Sequence, residues 1–284
     1  MVIKNVCTIK RNPFGSFFLL AFLKKSEMTG EDGMEWKNQR GIFLSVCFLI
    51  MIFLFTRGFY TPFFWFLVAL LLLLVFLKEG NRLFAWIIIT FFLANLLLVY
   101  IDNFIESFNL SPFSLIMISQ LLWVMPILMM IYVIKQFKYE INLSFKGNFF
   151  FKRYSLVLVI LASLAFFGTV LLQKEGIDWR TFLLILVFST INALLEEVLW
   201  RGILLSKLIG VTNQPIGVIV SSIAFGINTT MYGYSLIICV SYVCIGLFLG
   251  SLTVKSKSVF PSMVAHCIIT TLLLINGVMT IPVI

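Results

Sequence analysis

"TFLLILVFSTINALLEEVLWRGILLSKLI" (Thr181 to Ile209) decides the fold, because it is hydrophobic all round, holds one glycine (Gly202) and no proline, and still contains Glu196, Glu197 and Arg201. A single helix of about 29 residues, roughly 43 Å long, is predicted to run through both glutamates. That is enough to cross a hydrocarbon core of about 30 Å. A stretch apolar on every face belongs in lipid or in a large core. Similar runs recur along the chain, which has 284 residues, 61% of them hydrophobic and 12% charged, and a mean hydropathy of +1.08. The expected fold is therefore all-α, a polytopic membrane bundle of eight or nine helices. Short alternating segments of the kind found in a membrane β-barrel are absent from the sequence.

The expected spans lie near 41–56, 62–77, 83–101, 113–134, 154–173, 181–200, 214–229, 234–253 and 259–281, with Pro126 predicting a kink in the fourth. With the N-terminus in the cytoplasm, 18 of the 21 lysines and arginines fall on the inner side, and only Arg57, Lys174 and Arg180 fall outside. This asymmetry implies a multi-pass plasma-membrane protein with a cytoplasmic N-terminus and, for nine spans, an outer C-terminus. The net charge of +9 is thereby a topology signal, and no nucleic-acid partner is expected.

Three regions follow: a cytoplasmic N-terminal extension (1–40), a four-span region ending in the basic stretch "KQFKYEINLSFKGNFFFKR" (41–153), and a C-terminal membrane region (154–284). The segment "MEWKNQR" from Met34 reads as an ordinary cytoplasmic start, so residues 1–33 are expected to be an extension that is not always part of the mature protein. The aromatic run "FYTPFFWF" (Phe59 to Phe66) fits interfacial anchoring, and the N-terminal half offers no chemistry. Five cysteines (Cys7, Cys47, Cys239, Cys244, Cys267) are odd in number and lack CxxC spacing, so they read as packing residues. No internal repeat is visible, which counts against a transporter with inverted repeats.

Of twelve acidic residues, ten fall in tails or expected connecting segments, leaving Glu196 and Glu197 inside an apolar pattern. A charge at the bilayer middle costs on the order of 3 kcal/mol, and such groups by default face a protein interior or a wet cavity. Glu197 and Arg201, four apart, stack on one face and can pair. Glu196 lies about 100° around the helix, on a face shared with Asn192 and Trp200. A carboxylate without a fixed cation suits a general base acting on water; a structural ion-pair network that clamps helices is the competing reading. The only histidine, His266, sits about 10 Å into the last span from the basic edge at Lys255 and Lys257. Ser221, Ser222, Ala224 and Gly226, with Gly246 and Gly250 spaced as GxxxG, signal close helix packing around a shared site.

"EEVLWR" (Glu196, Glu197, Arg201) resembles the EExxxR motif of the CPBP family, the CAAX-protease and bacteriocin-processing intramembrane endopeptidases that include type II CAAX prenyl endopeptidases. "SSIAFGINT" (Ser221 to Thr229) is similar to that family's FxxxH motif, and "SVFPSMVAHCIIT" (Ser258 to Thr270) to its HxxxN motif. The resemblance covers about residues 180–275. It implies a water-activating role for Glu196, a supporting pair in Glu197 and Arg201, and an oxyanion or water-orienting role for His266. Thr229 stands where the family has a histidine and Thr270 where it has asparagine. Asn228 is one residue early and would point away unless its helix ends there; with Asn192 these complete the supporting candidates. One histidine cannot supply a two-histidine zinc site, so no metal or other cofactor is expected. The resemblance implies a peptide or membrane-protein substrate cleaved near the cytoplasmic leaflet, or bacteriocin processing or self-immunity. The threonine departures allow a weakly active or inactive scaffold that holds a membrane or cell-wall protein partner; proton relay in a transporter is the remaining alternative.

Overall fold

A computed structural model describes residues 39–58, 62–77, 79–108, 110–138 and 179–279. Every regular element among these residues is helical: α1 (Gln39–Thr56), α2 (Pro62–Leu77), α3 (Glu79–Glu106), α4 (Pro112–Leu122), α5 (Val124–Gln136), α6 (Trp179–Glu197), a π-helix (Val198–Leu205), α7 (Ser206–Val211), α8 (Gln214–Asn228), a 3-10 turn (Thr229–Tyr232), α9 (Leu236–Ser256) and α10 (Phe260–Ile275). The expected span at 154–173, the basic stretch before it and the extension 1–33 lie outside the described residues.

Four helical segments are long and apolar enough to cross a membrane: Arg82–Ile105, Phe113–Gln136, Trp179–Val211 and Leu236–Ser256. Gly41–Thr56, Pro62–Leu73 and Phe260–Ile275 are apolar but shorter. Large side chains such as Leu236 (74% exposed) and Ile237 (79%) cover the outside, a surface suited to hydrocarbon. The chain is thus a helical membrane protein, with four full-length spans among the described residues.

Particular boundaries differ from expectation for local reasons. The fourth span is two helices that meet at Trp123, because Pro126 lacks the N–H that would bond the Leu122 carbonyl one turn earlier. The last helix stops at Ile275 instead of reaching 281: the Asn276 N–H bonds Leu272 O, and Gly277 takes φ +64, which ends the helical run. Asp102, expected in a connecting segment, lies inside α3 and is buried, accepting a 3.0 Å hydrogen bond from Ser119 Oγ on α4. The N-terminal half therefore holds a buried polar link between helices.

The N-terminal helices and the later ones share one core, in which Phe48, Met51, Phe84, Phe91, Trp200, Leu204, Phe225 and Tyr242 are all buried. Phe91 of α3 meets Trp200 at 5.9 Å between ring centroids, and Trp200 meets Phe225 of α8 at 5.6 Å. Small residues bring α8 and α9 together: a Cβ on Gly246 would lie 3.0 Å from Ser222 Cα, and one on Gly250 would lie 3.3 Å from a Val218 methyl. The GxxxG face therefore packs α9 against α8, the close helix packing that its spacing predicts.

A Cβ on Gly226 would collide with Val243 and lie 2.7 Å from the Cys239 carbonyl oxygen, so Gly226→Ala forces backbone to move. Overpacking of this kind costs about 1–3 kcal/mol, and a lowered melting midpoint of the detergent-purified protein is expected. Gly210→Ala, at an exposed helical position with open space around its Cβ, is expected to leave that midpoint unchanged or slightly raised.

Candidate active site

The two glutamates sit where α6 passes into the π-helix, and α7 continues the same rod to Val211, so the predicted continuous helix forms and is a few residues longer. The i→i+5 bonding from Val198 to Leu205 was not foreseen. Such segments re-aim side chains within an otherwise regular helix and are frequent at functional sites. Here the segment carries Trp200 into the aromatic core and Arg201 toward α8 and α10.

Glu197 is fully buried, and its Oε1 is shared by two partners. Arg201 Nη1 lies 3.1 Å away, and His266 Nδ1 donates to the same oxygen at 2.9 Å. The arginine contact is an ion pair without the alignment of a hydrogen bond, so neither terminal guanidinium nitrogen has a hydrogen-bond partner. Its remaining support is the Phe225 ring, 4.3 Å below the guanidinium carbon. Phe225 also meets the His266 imidazole edge to face at 5.8 Å, so one ring braces both cation and imidazole.

Glu196 is placed differently. Its side chain keeps 13% exposure, its Oε2 lies 3.6 Å from His266 Nε2, and Asn192, one turn earlier, is its hydrogen-bonding neighbour. His266 is fully buried and stands between the two carboxylates. Because an ionised carboxylate only accepts, the Glu197 contact assigns the proton of a neutral imidazole to Nδ1. Nε2 is then an acceptor facing Glu196, another acceptor, with no hydrogen-bond partner of its own. The gap calls for a proton between them.

The other candidates divide. Thr270, one turn beyond His266 on α10, is 1% exposed and its Oγ1 has no hydrogen-bond partner. Thr229 is buried, but its hydroxyl proton goes to Gly226 O at 2.7 Å, so it is not a spare donor. Helix α8 ends at Asn228, the condition on which the placement of Asn228 depended, and Asn228 and Thr229 lie one turn past Phe225 on a common face. Two neighbours were missed. Ser262 lies beside the Glu197 carboxylate while donating to Val259 O at 2.7 Å, and the Tyr234 phenol is near enough to Glu196 to feel its charge. Ser262 stands one turn before His266, a spacing that could have revealed it; Tyr234 follows a left-handed Gly233 that turns the chain back, for which the sequence offers little signal.

A buried hydroxyl without a partner costs about 1–3 kcal/mol. Thr270→Val is therefore expected to raise the melting midpoint in detergent, by about 1 kcal/mol in stability, while slowing any reaction that uses the hydroxyl as a donor.

Residues 177–272 match the family model of the type II CAAX prenyl endopeptidase Rce1-like proteins. No curated protein and no solved structure matches the chain. The segment 177–272 carries both glutamates, the arginine, the histidine and every supporting candidate named above, and it is similar to an Rce1-like type II CAAX prenyl endopeptidase domain, consistent with the CPBP family.

Proposed function

We propose that this domain is an intramembrane glutamate-dependent endopeptidase that cleaves a peptide or membrane-protein substrate near the cytoplasmic leaflet. The observation that carries the reading is the unequal use of two adjacent carboxylates: Glu197 is held by Arg201 and His266, while Glu196 faces His266 Nε2 across 3.6 Å and is bound to no cation at closer range. Glu196 and Nε2 each accept a hydrogen bond from one water and aim its lone pair at a peptide carbonyl. As the carbon–oxygen bond forms, the water proton passes to Glu196 and negative charge gathers on the carbonyl oxygen. Thr270 Oγ1 is the donor offered to that oxygen, and Glu196 returns the proton to the departing amine. With His266 as the sole histidine, the donor set favours a water activated without metal.

Prenylated tails, leader peptides and bacteriocin precursors are the substrate classes that this reading admits, and self-immunity is a cellular role that fits it. A catalytically silent scaffold in the plasma membrane is the second reading, favoured by Thr229, whose proton is committed to its own helix. Comparing cleavage products of membranes that contain wild-type or Glu196→Gln protein separates the two. Products that vanish with the substitution support the peptidase, and an unchanged product set removes it.

A further inference from the structure

Two hydrogen bonds between side chains tie α9 to the chain that follows it, one on each side of His266. Thr253 Oγ1 donates to Ser262 Oγ at 2.9 Å, one turn before the histidine. Beyond the far end of α10, the Tyr242 hydroxyl donates to Met279 Sδ at 2.7 Å. This second tie depends on how the chain leaves α10. Gly277 takes φ +64, and the Val278 and Met279 N–H groups both bond Leu273 O, at 3.0 and 3.2 Å, so the chain turns back along the helix it has just left. Met279 then packs against both apolar clusters, the larger one that holds Phe225 and Tyr242 and the smaller one built on Phe188, Leu274 and Ile275.

Tyr242 is 5% exposed, and its ring meets Phe225 at 5.6 Å between centroids. Phe225 is the ring that braces the His266 imidazole at 5.8 Å and lies 4.3 Å from the Arg201 guanidinium carbon. It has little room of its own: Trp200 stands 5.6 Å away, and a Cβ on Gly246 would lie 3.3 Å from its Cδ1. In a close-packed interior a ring that moves displaces its neighbours.

We infer that Tyr242 and Met279 are positioning residues for His266: the C-terminal turn fixes the Tyr242 ring, that ring fixes Phe225, and Phe225 sets the imidazole between the two glutamates. The phenol proton is committed to sulfur, so Tyr242 offers nothing to a reacting atom and acts only through Phe225. A thioether is a weak acceptor that fills irregular gaps, so the tie holds position without burying a charge. The inference rests on reading His266 as part of a reaction centre. It makes that centre depend on a turn that begins about 14 Å further along α10.

His266 is the sole histidine, so its ring nitrogens can be observed singly. The full chain carrying isotope-labelled histidine is reconstituted in lipid, and its Nδ1 and Nε2 signals are recorded by nitrogen NMR. Tyr242→Phe removes the hydroxyl and keeps the ring; Met279→Leu removes the acceptor and keeps the bulk. Each is expected to move at least one of the two signals by more than its width, and the double variant to move them no further than the larger single effect, because both delete one bond. Met279→Gln offers the phenol an amide oxygen at similar reach and is expected to hold the signals near wild type. Tyr132→Phe removes the same hydroxyl from a 64% exposed ring on α5 and is expected to leave them unmoved.

In the Glu196-dependent cleavage assay, Tyr242→Phe and Met279→Leu are expected to slow turnover about twofold to tenfold, the range for one neutral hydrogen bond, with KM unchanged. Signals that stay in place in both single variants, additive displacement in the double variant, equal displacement by Tyr132→Phe, or displacement by Met279→Gln as large as by Met279→Leu overturns the inference. The ring signals are read without substrate, so a missing cleavage product removes the peptidase reading and leaves the positioning of His266 to its own measurement.

Discussion

Glu196→Gln is expected to lower turnover by about 100-fold to 10,000-fold, the contribution of a general base, while leaving the folded protein as stable as wild type. The amide keeps the shape of the carboxylate and its place beside Asn192, but it cannot take a proton from water. Stability is spared because Glu196 shares no hydrogen bond with a cation: its nearest basic group is His266 Nε2 at 3.6 Å, an atom that can accept from the new amide. The measurement is paired, product formation in proteoliposomes and melting midpoint of the same preparation. Loss of product with an unchanged midpoint assigns the chemistry to this carboxyl group. A fall in both makes Glu196 a structural residue, and undiminished product ends its role as base.

The neighbouring substitution should behave in the opposite sense. Glu197→Gln leaves Arg201 buried with its counter-charge gone, and breaking a buried pair from one side costs about 3–5 kcal/mol. For a chain of this size that corresponds to a drop in the melting midpoint on the order of 10 °C. The Phe225 face retains part of the guanidinium's stabilisation, so the loss is expected toward the lower end of that range. His266 loses the charged acceptor of its Nδ1 proton as well, and activity should fall with stability. Combining Glu197→Gln with Arg201→Met removes the orphaned charge and is expected to recover much of the lost midpoint without restoring turnover. If the single substitution leaves the midpoint within about 1 °C of wild type, the buried pair is not what holds this corner together.

Much of this was legible because lipid imposes a simple rule on sequence. Leu, Ile and Phe in long runs mark helices that need no distant partner to be recognised, and α1, α2, α8 and α9 begin and end close to the expected positions. Charge inside such a run is conspicuous for the same reason, which is why Glu196, Glu197 and Arg201 stand out in the sequence alone. The spacing of four between Glu197 and Arg201 carried over directly into an ion pair. What stayed hidden depends on residues far apart in the chain. His266 touches both glutamates from 69 or 70 positions away, and nothing in its own neighbourhood declares which of its nitrogens faces which acid. Asp102 looked like a loop residue because its counterpart Ser119 lies on another helix. The π-helix also escaped notice, since no residue type demands i→i+5 bonding; it follows from where Trp200 and Arg201 must point at once.

The position of Trp200 limits how the protein can be divided. Its indole is wedged between Phe91, well upstream of the matched segment, and Phe225, within it. Excising 177–272 would strip one wall from the largest side chain in that core and lay bare the back of the helix that bears the two acids. The matched third of the polypeptide is accordingly a passenger on a scaffold begun at α1, and insertions or truncations upstream can be felt at the two glutamates through three rings in edge-to-face contact.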